Sequence, residues 1–175
     1  MKAPSIGLPA ILRRLGNLIS RRNLLTEAPE EWRSLLPELP ARRQKNISVF
    51  IRHLDAGSSN DCELEIGALN NPVYDFQRFG FHLVASPRHA DVLLVTGPFT
   101  PGMEAAALAA FRAMPRPRRV ITLGNGFKPD GLFGASYAAL PLPQEMADAW
   151  IVHIPGNPPS PQELLNVLNA IEFPL

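Results

Sequence analysis

An open α/β fold is what this sequence predicts: a mostly parallel sheet with helices on both faces, preceded by an amphipathic extension. Three observations predict it. Beyond Arg42, short apolar runs alternate with segments of helical periodicity, the signature of strands joined by crossover helices. Four of those runs lead directly into loops, and the last helix carries a full set of start signals. At 175 residues and 46% hydrophobic, the chain is long enough for one compact domain with a core plus short extensions.

Residues Pro9 to Leu25 place Ile11, Leu12, Leu15, Leu18 and Ile19 at helical spacing, with Arg13, Arg14, Arg21 and Arg22 largely elsewhere on the wheel. Such a basic amphipathic helix suits packing against its own domain or a partner subunit, or contact with an anionic membrane surface. From Thr26 to Pro40, Pro29, Pro37 and Pro40 punctuate an acidic stretch around Trp32, Leu35 and Leu36, the pattern of an extension wrapping a surface. These two segments make up residues 1–41. Residues 42–175 are expected to form a single α/β domain.

Within that domain, strands are predicted at Ile47 to Leu54, Phe81 to Val84, Val92 to Thr96, Val120 to Leu123 and Trp150 to Ile154. Helices are expected to start near Cys62, near Pro101, and between Leu132 and Glu145. The last helix is the best marked. Ser160 can cap it, Pro161 takes the first helical position, and Glu163 completes a Ser-x-x-Glu box before Leu164, Leu165, Val167, Leu168 and Ile171. The whole reads as an open, mostly parallel, flavodoxin-like sheet. Its loops Asp55 to Asp61, Gly97 to Pro101, Gly124 to Gly131 and Pro155 to Ser160 should lie beyond the carboxyl ends of the strands, where open α/β folds bind ligands.

Composition excludes several classes. Lys and Arg total 17 against 16 Asp and Glu, a balance that does not suit a nucleic-acid-binding module. A single cysteine, Cys62, rules out an internal disulfide framework. No apolar run reaches the roughly 18 residues of a spanning helix, and no secretory signal is evident, so the chain is expected in the cytosol or on a cytosolic membrane face. His53, His82, His89 and His153 lack zinc-ligand spacing and read as structural residues, so no metal site is expected from them. Gly57-Ser58-Ser59 and Gly124-Asn125-Gly126 match neither phosphate-binding fingerprint, and no nucleophile elbow is present. No catalytic residue is predicted.

Four motifs are more specific. Ala56-Gly57-Ser58-Ser59-Asn60-Asp61-Cys62-Glu63-Leu64-Glu65-Ile66 looks like a Cys-x-x-Cys loop entering a helix, with Ser59 at its first cysteine. Tyr74-Asp75 and Arg78-Phe79-Gly80 precede the long run from Ser86 to Gly97, Ser-Pro-Arg-His-Ala-Asp-Val-Leu-Leu-Val-Thr-Gly. Ile121 to Gly126 is followed by Gly131-Leu132-Phe133, and Ile154 to Pro161 looks like a Pro-Gly-Cys-Pro-Pro loop with Asn157 at the cysteine. From Leu54 to Pro161 the chain thereby resembles the cluster-bearing small subunit of complex I (the 20 kDa type), membrane-bound nickel-iron hydrogenases and formate hydrogenlyase.

In that family a 4Fe-4S cluster is held by four cysteines, since sulfide-bridged iron needs thiolate donors. The resemblance implies that the ligand positions here are Ser59, Cys62, Gly126 and Asn157, so the expected cofactor is none. The expected role is that of a structural or coupling subunit, set between a hydrogenase-like large subunit and the antiporter-like or quinone-module-like subunits of a membrane arm. The chain would be peripheral, on the cytoplasmic side of the inner membrane. Arg88 and His89 would face the large subunit and the quinone side, and Glu65 would be a proton-relay candidate. The competing expectation is an active electron-transfer subunit whose 4Fe-4S cluster has altered or partner-supplied ligands. A further alternative is a free-standing enzyme with a repurposed pocket at Ser59, Asn125 and Asn157.

Overall fold

The structure, a computed structural model, describes residues 48–127, 133–134, 136–171 and 173. The predicted helix Pro9 to Leu25, the extension Thr26 to Pro40, and Ile47 at the start of the first predicted strand lie outside these residues. The described residues belong to one compact unit, Glu38–Leu175.

Five strands form its sheet: β1 Val49–Asp55, β2 Phe81–Leu83, β3 Val92–Thr96, β4 Val120–Leu123 and β5 Trp150–Ile154. They lie in the order β2-β1-β3-β4-β5, and every pairing is parallel. This is the flavodoxin-like order, in which the chain leaves β1 in one direction toward β2 and later in the other toward β3. Around the sheet run α1 Asp61–Ala68, α2 Pro101–Ala113, α3 Gln144–Ala147 and α4 Pro161–Ala170, with short 3-10 turns at Phe76–Phe79, Pro87–His89 and Asn125–Phe127.

Both faces of the sheet are covered, and the central strand shows why its sequence is an unbroken apolar run. Successive strand side chains point to opposite faces. Val92 and Leu94 of β3 join a core with Cys62 and Ile66 of α1 and Leu164, Leu165 and Leu168 of α4. Leu93 and Val95 join the opposite core with Ala107 and Phe111 of α2 and Met146 of α3. All five residues of β3 are buried, including Thr96 at its end. Each fully buried leucine or isoleucine contributes about 1.5–3 kcal/mol relative to exposure.

α4 starts as its sequence predicts. Ser160 Oγ accepts the Glu163 N–H at 3.3 Å, and the Glu163 carboxylate accepts the Ser160 N–H at 2.8 Å. The helix expected between Leu132 and Glu145 begins only at Gln144. Pro143 stands in extended geometry at its N-cap, and with Pro141 just before it the preceding backbone is steered away from helix. β5 forms one sheet edge and leaves Trp150 and Ile151 exposed.

Candidate functional site

The loops after β1, β3, β4 and β5 meet at the carboxyl edge of the sheet. Asp55 closes β1 and turns the chain: its Oδ1 accepts the N–H groups of Gly57 and Ser58, both at 2.8 Å. Burial pushes this carboxyl up, but the backbone hydrogen bonds from Ser58 and Gly57, together with the Ser58 side chain and the nearby His53, hold it below its usual value. Ala56 then ties this loop to the one after β3. Its N–H donates to Thr96 O at 2.9 Å, and its carbonyl accepts from Thr100 N at 2.9 Å and Thr100 Oγ1 at 2.8 Å.

A second tie joins the loops after β4 and β5. Gly124 N donates to Ile154 O at 2.9 Å and Asn125 N to Gly156 O at 2.8 Å, while the Asn125 side-chain oxygen accepts the Gly156 N–H at 3.2 Å. Gly156 has φ of 150°, a conformation few side chains tolerate, which lets the strand turn into the Asn157-Pro158-Pro159 segment. Across the centre, the Gly126 backbone lies against the backbone of Gly97 and Pro98, so close that a Cβ on Gly126 would fall well under 3.0 Å from both.

These loops enclose a cavity of about 130 Å³ whose lining includes Ser59, Cys62, Gly126 and Asn157. The four positions singled out in the sequence are thus brought together from three separate segments, the loops after β1, β4 and β5. Their donors are unequal. Ser59 and Asn157 are exposed and offer a hydroxyl and an amide, and Gly126 offers no side chain. Cys62 is 3% exposed and packs within the α1 core. Burial pushes its thiol up to about 12, and Asp61 and Glu63 push in the same direction. Among the described residues, no three His, Cys, Asp or Glu side chains are grouped to hold a metal ion.

Beneath the first loop lies a polar network that the sequence does not announce. The Glu63 carboxylate accepts Ser58 Oγ–H at 2.6 Å and Thr96 Oγ1–H, and lies 3.2 Å from His53 Nε2, which is itself 3.0 Å from Thr96 Oγ1. Burial lowers the His53 pKa, and Glu63 opposes that shift. In the sequence Glu63 reads as a helix-dipole carboxylate. The available signal was a polar Thr96 ending an apolar strand, with His53 at the same edge of its neighbour. The network runs from Ser58 at the cavity to His53, which lines a separate groove of about 540 Å³.

The remaining predicted residues fall elsewhere. Glu65 is half-buried on α1 and does not line the cavity, although its charge adds to the upward push on Cys62. Arg88 and His89 are exposed on the turn Pro87–His89, on the crossover from β2 to β3 and outside the cavity lining. His82 stacks on Phe50 with ring centroids 5.4 Å apart, and His153 Nδ1 lies 3.0 Å from Thr122 Oγ1. Arg13, Arg14, Arg21 and Arg22 lie outside the described residues.

Comparison with known proteins adds to this geometry. Residues 60–171 match the family described as NADH ubiquinone oxidoreductase, 20 Kd subunit. The chain is 38% identical over 118 residues to formate hydrogenlyase subunit 7 of Escherichia coli (strain K12), covering 67% of this chain and 46% of that one. It therefore spans less than half of that relative's length. It is 40% identical over 129 residues to the probable membrane-bound hydrogenase subunit mbhJ of Pyrococcus furiosus, covering 71% of this chain and 75% of that one. A subunit of the NADH-quinone oxidoreductase of Carboxydothermus hydrogenoformans is 38% identical over 110 residues, covering 59% and 63%. In three dimensions, a chain of the membrane-bound sulfane sulfur reductase, an archaeal respiratory membrane complex, superposes with a TM-score of 0.56. That pair is 26% identical and covers 70% of this chain and 68% of that one. No helix of the described residues is long and apolar enough to cross a membrane.

Proposed function

Because the chain belongs to the family of the 20 kDa subunit of NADH:ubiquinone oxidoreductase, we propose that it serves as a cluster-free small subunit, structural rather than redox-active, in a membrane-associated complex. The observation that carries this reading is the cavity at the carboxyl edge. Where the family resemblance assigns four cluster ligands, the chain supplies one thiol, one hydroxyl, one amide and one glycine. That donor set does not fit a conventional 4Fe-4S cluster, because iron bridged by sulfide requires anionic sulfur donors. The one thiol, Cys62, is buried in the apolar core beneath α1.

The role left to such a subunit is to join other parts of the assembly. The relatives' names place them in formate hydrogenlyase and a membrane-bound hydrogenase, and the structural neighbour belongs to a respiratory membrane complex. By this reading the chain docks a hydrogenase-like large subunit onto an ion-translocating membrane arm, as a peripheral subunit on the cytoplasmic side. Arg88 and His89, both exposed, take part in the large-subunit interface. The basic residues Arg13, Arg14, Arg21 and Arg22 make the membrane or partner contact. The hydrogen bonds between loops keep the carboxyl edge in a fixed shape for the partner to rest on. Glu65 is the proton-relay candidate: in the assembled complex Glu65→Gln should lower proton-coupled turnover and leave assembly intact, and unchanged turnover removes it from the account.

Cys62 still lines the cavity, the one observation that favours a redox-active subunit with thiolates borrowed from a partner. Cys62→Ala in the native complex separates the two readings. The structural reading predicts unchanged assembly and unchanged electron transfer by the complex. Lost electron transfer in a fully assembled complex would instead assign Cys62 to a cluster.

A further inference from the structure

Resting on the cluster-free reading, we infer that the chain has closed this site from within, so that restoring cysteines at Ser59, Gly126 and Asn157 does not restore a cluster. The obstacle is at Gly126. Any side chain there begins with a Cβ, and that atom would meet the carbonyl of Gly97 and the nitrogen of Pro98. Both are backbone, so no rotamer change relieves the overlap.

Both sides of the contact are tied into the surrounding loops. On the β3 side, the Phe127 ring occupies the space beside Gly97, where a Cβ would stand 2.7 Å from it. Pro98 O would stand 2.9 Å from a Cβ at Gly57, and Thr100 is fastened to Ala56 O through both its N–H and its hydroxyl. On the β4 side, Asn125 is fastened to Gly156 by its backbone N–H and its side-chain oxygen. Gly124 is as tightly set, with Cys62 Sγ 2.9 Å from where its Cβ would be. A cluster held at Ser59, Cys62, Gly126 and Asn157 would cross-link the loops after β1, β4 and β5 through iron. Here Asn125 ties the loops after β4 and β5 to each other, and Gly126 packs on the loop after β3. Ser59 and Asn157, by contrast, are exposed positions at which a cysteine meets no such barrier.

The test uses the full chain, purified anaerobically and incubated with ferrous iron and sulfide, as wild type, as S59C/N157C, and as S59C/G126C/N157C. The closed site predicts no stoichiometric iron or sulfide in any of them. It also predicts that Gly126→Ala melts about 5 °C or more below wild type, whereas Gly67→Ala, which has open space on α1, does not melt lower. A cluster in the triple variant alone overturns the closure and leaves the cluster-free reading standing. A cluster in the wild type overturns both. If the triple variant does not fold, Gly126→Ala decides: melting level with wild type overturns the closure.

Discussion

Cys62 sits where burial and two adjacent carboxylates act on the thiol in one direction, pushing it up to about 12. Near neutral pH its thiolate, the nucleophilic and metal-binding form, is scarce. A small alkylating reagent should therefore modify native protein at least about 100-fold more slowly than urea-unfolded protein. Equal rates would show that the thiol is neither buried nor held protonated. His53 makes a second prediction. Its folded-state pKa lies below the usual 6.5, chiefly because burial disfavours the charged ring. The unfolded chain then binds more protons than the folded one, so this contribution is complete above about pH 6.5 and is lost as pH falls through the folded value. His53→Gln should flatten the urea midpoint against pH in that window, and an unchanged slope would contradict it. Ser59, Cys62, Gly126 and Asn157 could be named together from the sequence because the family resemblance aligns them, and all four line one cavity. The partners of Glu63 were not, because His53 and Thr96 reach it only after β1, β3 and α1 have assembled.

Helix α4 and helix α3 separate local from non-local information. The start of α4 was legible to the residue because it is written in neighbouring positions, Ser160, Pro161 and Glu163, with a buried face of Leu164, Leu165 and Leu168 behind them. The box is a bond in each direction between Ser160 and Glu163, so Ser160→Ala should lower stability by about 1 kcal/mol in a denaturant titration. A loss below the error of that titration would mean that packing alone sets the helix start. α3 was located only within a broad interval, since Pro141 and Pro143 spoil the helical pattern ahead of it and its four residues, Gln144–Ala147, are too few for periodicity to show. β3, β4 and β5 were read at their observed limits: β3 and β4, paired on both sides, show up as apolar runs that stop at Gly97 and Gly124, and the edge strand β5 stops at Pro155.

At the scale of the whole molecule, alternating strands and helices dictated a parallel sheet, and a parallel sheet dictated that the loops after its strands share one edge. That chain of consequences made the location of the site legible in the sequence. The shape of its interior was not. Whether the cavity could admit a side chain at Gly126 depends on how closely two loops, one after β3 and one after β4, approach through their backbones. The central claim is that a family scaffold built around an electron carrier works here without one. The most direct test is iron and acid-labile sulfide content, together with low-temperature paramagnetic resonance before and after reduction, on the protein purified anaerobically with its native partners. The account predicts no iron assignable to this subunit and no signal that reduction reveals. A stoichiometric cluster signal lost in Cys62→Ala would contradict it.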